Sequence, residues 1–199
     1  MSKADLKKYI KRVIFLAIGV YIIYSIYIHL EYRHYIKQSI DRNYDSLDFI
    51  SVKGNNLANR LEEFIQLPVE KEEFSDVKSE FDKNWRIVNG ESKNIHSYLF
   101  TIRTKYMGDA ASDWDLLQFS LLRVDEFING MTNKFLENHS YSISDEEKEK
   151  MEAVIEVFRI ISEEKDNEFV NIEDILKSIK EPMLIINENY SDVLERLGR

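Results

Sequence analysis

The chain of 199 residues is 44% hydrophobic and 32% charged, with six glycines, two prolines and no cysteine; this is the composition of a folded, helix-rich chain, not of a disordered or turn-rich one. The missing cysteines exclude disulfides, thiolate-bound metal and a cysteine nucleophile. The net charge of −9 is unevenly divided: residues 1–40 carry seven basic against two acidic groups, or +5, which leaves −14 for residues 41–199, and so acidic a remainder makes nucleic acid an unexpected partner.

Residues 1–12 form a basic flank with Lys3, Lys7, Lys8, Lys11 and Arg12. Val13–Leu30 follows, 18 residues without a formal charge. As a helix it would run about 27 Å, close to the ~30 Å of a bilayer's hydrocarbon core. Tyr9, Tyr32 and Tyr35 flank it at interfacial positions. The run ends in the bulky His29-Leu30-Glu31-Tyr32, with no small-x-small cleavage site after it. It therefore reads as an uncleaved, single-pass signal anchor. The heavier positive charge on the N-terminal side predicts a cytoplasmic N-terminus in the cell membrane and an extracytoplasmic domain over residues 31–199.

Beyond the anchor, helical spacing continues. Ile40, Leu47, Gly54 and Leu61 interleave with Ile50, Leu57 and Phe64 as a heptad seam. The first helix is thus expected from about residue 4 to 66, ending before Pro68, with Gly54 on the seam as a point of close approach or a bend. A second helix is predicted over 69–88 (Phe74, Val77, Phe81, Trp85, Val88), stopped by Asn89-Gly90. A third is predicted over 92–107 (Ile95, Leu99, Ile102, Tyr106), ended by Gly108-Asp109. The fourth opens with Ser112 and Asp115 as a cap pair and carries Trp114, Leu117, Leu121, Val124, Ile128, Met131 and Phe135. Ser144 and Glu147 make a capping box for the fifth, whose stripe is Met151, Val154, Phe158 and Ile161. Asn171 caps a sixth, kinked at Pro182, with one stripe from Ile172 to Leu197. The expected architecture is all-α: a transmembrane helix continuing into a long juxtamembrane helix, packed with about five further helices as an antiparallel bundle.

Chemistry is sparse. His29, His34, His96 and His139 are not spaced as a shared metal site, and interfacial or solvated roles are expected of them. Asp41-x-Asn43-x-Asp45 begins like a calcium loop, but Ser46 replaces the turn glycine and Val52 the bidentate glutamate. It is expected to be an exposed polar helix face. No nucleophile motif or phosphate cradle occurs, so no catalytic, cofactor-binding or metal-binding residue is assigned, and an enzyme is not expected.

The C-terminal segment is richer in apolar residues than one buried stripe requires. Met183, Leu184, Ile185, Ile186, Val193, Leu194 and Leu197, together with Gly54, are the candidate partner-docking residues. These features point to a membrane-anchored, non-enzymatic helical protein acting through protein contacts. It would be an accessory or assembly subunit of a cell-envelope complex, with a protein partner or a second copy of itself. The pattern also resembles, at fold level, the extracytoplasmic helical bundles of chemoreceptors, which implies a ligand-sensing alternative. A cytoplasmic-facing membrane adaptor is a further one.

Overall fold

Lys3–Ile65 contains no proline and only two glycines, and it forms one helix of 63 residues, α1. The computed structural model describes residues 3–66, 74–138, 140–165 and 170–197, with the backbone alone for 3–6 and 74–77. Among the described residues six more α-helices follow: α2 (Phe74–Leu99), α3 (Ala111–Thr132), α4 (Asp145–Lys165), α5 (Ile172–Ser178), α6 (Lys180–Ile186) and α7 (Tyr190–Arg196). Two 3-10 turns precede α3, and a π-helical turn, Asn133–Glu137, extends it. No strand occurs among the described residues, and the fold is all-α as expected.

The chain divides into two compact units, Met1–Asp41 and Arg42–Arg199. In the first, the large apolar side chains of Val13–Leu30 are between 46% and 80% exposed. This stretch is long and apolar enough to cross a membrane.

Contacts within the second unit define its topology. Lys53 pairs with Glu91 and Phe64 meets Phe81, so α2 runs antiparallel to α1. Trp85 bonds Thr132 and Gln118 bonds the Leu99 carbonyl, so α3 reverses again. Asp48 pairs with Lys165, and Phe158 covers Gly54, so α4 is antiparallel to α1. The four long helices thus alternate up and down, the arrangement short connections favour. The short helices α5 and α6 pack on both α3 and α4, and α7 follows on α6.

The stripes read from the sequence fill this core. Leu47, Ile50, Leu57, Leu61 and Phe64 of α1, and Trp114, Leu117, Leu121, Val124, Ile128 and Met131 of α3, are all buried. Phe64, Phe81, Trp85 and Phe135 form an aromatic cluster with ring centroids 4.5–5.7 Å apart, the tilted and edge-on geometry that ring quadrupoles prefer.

Several boundaries differ. Asn89-Gly90 does not stop a helix: α2 runs through it to Leu99, because Val88 and Ile95 both belong to the core and packing outweighs a single glycine. Residues 100–110 are loop and 3-10 turns rather than the end of a third helix; Gly108, with φ +58°, takes the left-handed conformation there. Ser112 is not a cap, since α3 begins one residue earlier after Ala110. The expected kinked helix is three helices. The chain breaks at Ile179, which puts Pro182 in the first turn of α6, where a missing amide forfeits no helical bond. A second break falls at Asn187, whose backbone is extended. The expected stop before Pro68 and the start of the second helix lie outside the described residues, as does His139.

Candidate functional site

The antiparallel register of α2 and α3 assembles one buried polar cluster. Ser92 and His96 stand one turn apart on α2, and Asp125 and Asn129 one turn apart on α3. The Asp125 carboxylate, 9% exposed, accepts from Ser92 Oγ at 2.7 Å on Oδ1. On Oδ2 it accepts from Asn129 Nδ2 at 3.0 Å and meets His96 Nδ1 at 2.7 Å. The rest of the His96 ring is partly exposed beside Phe100, with centroids 4.8 Å apart. A serine–histidine–aspartate relay requires the serine on the imidazole nitrogen remote from the aspartate. Here Ser92 donates to the aspartate itself, so the cluster is built as a staple between two helices. His96 was expected to be solvated; it is instead tied to a buried carboxylate. Ser92 and Asp125 were not singled out, because the apparent stop at Asn89-Gly90 hid the fact that Ser92 continues the helix of Trp85.

A second polar set holds the 100–110 loop to α1. Asn43 is buried, donating from Nδ2 to the Arg103 carbonyl at 3.0 Å and accepting from the Arg103 amide at 2.8 Å. Ser46, also buried, donates to the Arg42 carbonyl and lies 2.8 Å from the Thr101 hydroxyl. The Asp41-x-Asn43-x-Asp45 run is thus not a uniformly exposed face: Asp41 and Asp45 are exposed and Asn43 is a loop anchor.

On another side, the Arg159 guanidinium of α4 reaches Asn55, Asn59 and Glu62, which lie on successive turns of α1. At the start of α4 the capping box forms as read. The Ser144 amide donates to Glu147 at 2.8 Å, and the Glu147 amide to Ser144 Oγ at 3.2 Å. Lys134 adds an ion pair at 2.6 Å. Burial raises the Glu147 pKa, but Lys134 and the Ser144 groups outweigh it and hold the carboxyl below the ordinary glutamate value. A groove of about 370 Å³ lies here, lined in part by Phe127, Met131 and Lys150. Its two lysines are paired, Lys134 with Glu147 and Lys150 with Glu146. Among the described residues no three histidine or carboxylate groups converge to hold a metal.

The candidate docking residues fall into two groups. Gly54 is buried under Phe158: a Cβ there would stand 2.8 Å from the ring's Cγ. The close approach its position implied is made by a helix of the same chain. Met183, Ile186 and Leu194 are buried, and Leu184 and Val193 are partly so. Ile185 and Leu197 are exposed, at 37% and 45%. The buried Tyr190 hydroxyl lies 2.9 Å from Ser120 Oγ, which ties α7 to α3. Burial pushes the Tyr190 pKa up, and the Ser120 hydrogen bond offsets part of this. The C-terminal apolar run is therefore mostly core, with two of its members left at the surface.

Comparison with protein-family models, with curated proteins and with solved structures finds no match to this chain.

Proposed function

We propose that this protein is a single-pass, membrane-anchored helical bundle that acts through protein contacts, as an accessory or assembly subunit of a cell-envelope complex. The observation that carries the reading is the contrast within α1. The apolar stretch of Val13–Leu30 is bare of protein cover, whereas the apolar seam from Leu47 to Phe64 on the same helix is buried. Apolar surface of that length needs a non-aqueous surrounding, and lipid supplies it. The flank of Lys3, Lys7, Lys8, Lys11 and Arg12 favours a cytoplasmic N-terminus and an extracytoplasmic bundle. A non-catalytic role is supported by how the polar groups are used: the serine, histidine and aspartate that come together join helices and do not form a relay.

The chain has no native cysteine, so single cysteines at Ser2 and Ser142 test the topology without background. A membrane-impermeant maleimide should label position 142 in intact cells and position 2 only after lysis. The opposite pattern overturns the proposed orientation and makes the bundle cytoplasmic. Crosslinking in native membranes should then recover a partner in near-stoichiometric amount; an isolated monomer would refute the assembly role.

A further inference from the structure

Many cations of the bundle are taken up by its own carboxylates: Lys53, Arg60, Arg123, Lys134, Lys150 and Arg159 all sit in ion pairs. The outer face of α2 is an exception. Ser79, Lys83, Arg86, Gly90, Lys93 and Ser97 follow one another in steps of 4, 3, 4, 3 and 4 and are all exposed, so they form one stripe on the side remote from the core. Lys83, Arg86 and Lys93 have no ion pair among the described residues. Of the carboxylates nearby, Glu91 is held by Lys53, Asp82 is partly buried, and Glu80 stands to one side of the stripe. Helix α4 carries the opposite charge in the same steps: Asp145, Glu149, Glu152, Glu156, Arg159 and Glu163. Arg159 turns to α1, and Glu152 lies 3.9 Å from Lys148. Glu149, Glu156 and Glu163 are exposed, with no ion pair among the described residues.

The two stripes do not face each other within one bundle. Phe49 and Lys53 of α1 meet α2, whereas Asp48, Asn55 and Asn59, on another side of α1, meet α4. Their levels nevertheless agree. Lys53 is level with Glu91 and Phe64 with Phe81; Gly54 is level with Phe158 and Asp48 with Lys165. Counting from these pairs, Lys83, Arg86 and Lys93 stand level with Leu61, Ala58 and Ser51 of α1, and Glu149, Glu156 and Glu163 with Glu63, Asn56 and Phe49. Each cation is thus within about 3 Å, measured along the bundle, of one carboxylate's level. Both helices are antiparallel to α1 and so run the same way, as they also do in two copies standing side by side in one membrane. Residues 41–199 carry −14 and repel their own copies; the α2 stripe is where that repulsion reverses. We propose that α2 of one copy docks on α4 of a second copy, with Lys83, Arg86 and Lys93 opposite Glu149, Glu156 and Glu163. Exposed ion pairs are weak in water. The proposal therefore rests on the anchored reading, because a shared membrane raises the copies' effective concentration. The contact is head to tail, so each docked copy offers its remaining stripe to the next, in a ring or a row.

Crosslinking between two differently tagged full-length copies, co-expressed in one membrane, tests it. One copy carries Ser79→Cys and the other Asp145→Cys, residues at the matching ends of the two stripes. A short bismaleimide should join the two tags, and Ser79→Cys or Asp145→Cys expressed alone should give no linked product. Lys83→Glu/Arg86→Glu/Lys93→Glu in the first copy should cut the yield about tenfold, the size of three exposed ion pairs together. Glu149→Lys/Glu156→Lys/Glu163→Lys in the second copy should do the same, and the two reversals together should restore the product, which misfolded chains would not do. Lys180→Glu, a reversal away from both stripes, should change nothing. The same membranes are extracted with alkaline carbonate. If the protein is released, the anchored reading fails and this contact with it. If it stays in the membrane and the reversals leave the yield unchanged, or do not restore it when combined, the contact alone is refuted. Adducts from position 79 to a different protein, without links between the tags, overturn the second copy as the occupant in favour of another acidic subunit.

Discussion

Gly54 shows how much a single missing methyl group decides. Its Cβ position falls against the Phe158 ring, which is fully buried and has α1 on one side and the core on the other. Gly54→Ala would gain up to about 1 kcal/mol in helix propensity but forces the ring or the helix to shift, at about 1–3 kcal/mol. The net expectation is a loss of up to about 2 kcal/mol in denaturant unfolding of the full chain in detergent, largely recovered in Gly54→Ala/Phe158→Leu. Asp125 is the polar counterpart. Asp125→Ala strands the Ser92 hydroxyl, which is 3% exposed, and should cost about 1–3 kcal/mol. Ser92→Ala added to that background should then cost almost nothing, since the hydroxyl it removes is already unpaired; an additive loss would show that the two residues do not act as one staple. Gly54 was legible as a site of close approach because it interrupts a heptad seam. Asp125 was not, because one charged residue between apolar stripes reads as solvated until its partners on another helix are placed.

Helix α4 is the element whose start was written most clearly in the sequence. Ser144 and Glu147 make both reciprocal hydrogen bonds, and three acidic residues occupy the first turn, where the helix dipole favours them. What spacing could not show is Lys134, which arrives from the π-helical turn after α3. Because Glu147 has its pKa lowered in the folded chain, its contribution is complete above the unfolded glutamate pKa and is lost as pH falls through the lower folded value. Glu147→Gln should therefore be less stable than the parent at pH 7. The two melting curves should converge as pH drops below about 4, in the range where ordinary carboxylates protonate; a difference that persists in acid would assign the effect to packing instead. Boundaries set by tertiary contacts were the less legible ones. Asn89-Gly90 has the local chemistry of a stop, yet α2 continues because Trp85, Val88, Ile95 and Leu99 face one core. Pro182 marked the right neighbourhood, but the chain accommodates it by ending α5 and restarting α6, not by bending one helix.

At the scale of the whole molecule, the role of the last three helices follows from what the first four leave uncovered. Helices α3 and α4 bury Trp114, Leu117, Leu121, Val154 and Phe158, and α5 and α6 are packed against both helices. Periodicity alone allowed two fates for this segment, a docking surface or a groove filler, because Met183, Leu184, Ile185 and Ile186 are apolar on consecutive positions and so mark every side of the helix. The positions of Met183, Ile186, Tyr190 and Leu194, each no more than 7% exposed, favour the filler. At about 1.5–3 kcal/mol for each fully buried large apolar side chain, these four residues together contribute about 6–12 kcal/mol, comparable to the roughly 5–15 kcal/mol by which an ordinary domain is stable. Deleting residues 183–199 should therefore leave the bundle unable to melt cooperatively, with ANS binding to the uncovered faces of α3 and α4 and a tendency to aggregate. Ile185→Ser and Leu197→Ser, which change only the exposed members, should keep the parent's melting temperature within the small range of surface substitutions, about 0.5 kcal/mol. A deletion variant that stays folded with a sharp thermal transition would show that α1–α5 close the core by themselves. The apolar run would then be free to serve a partner.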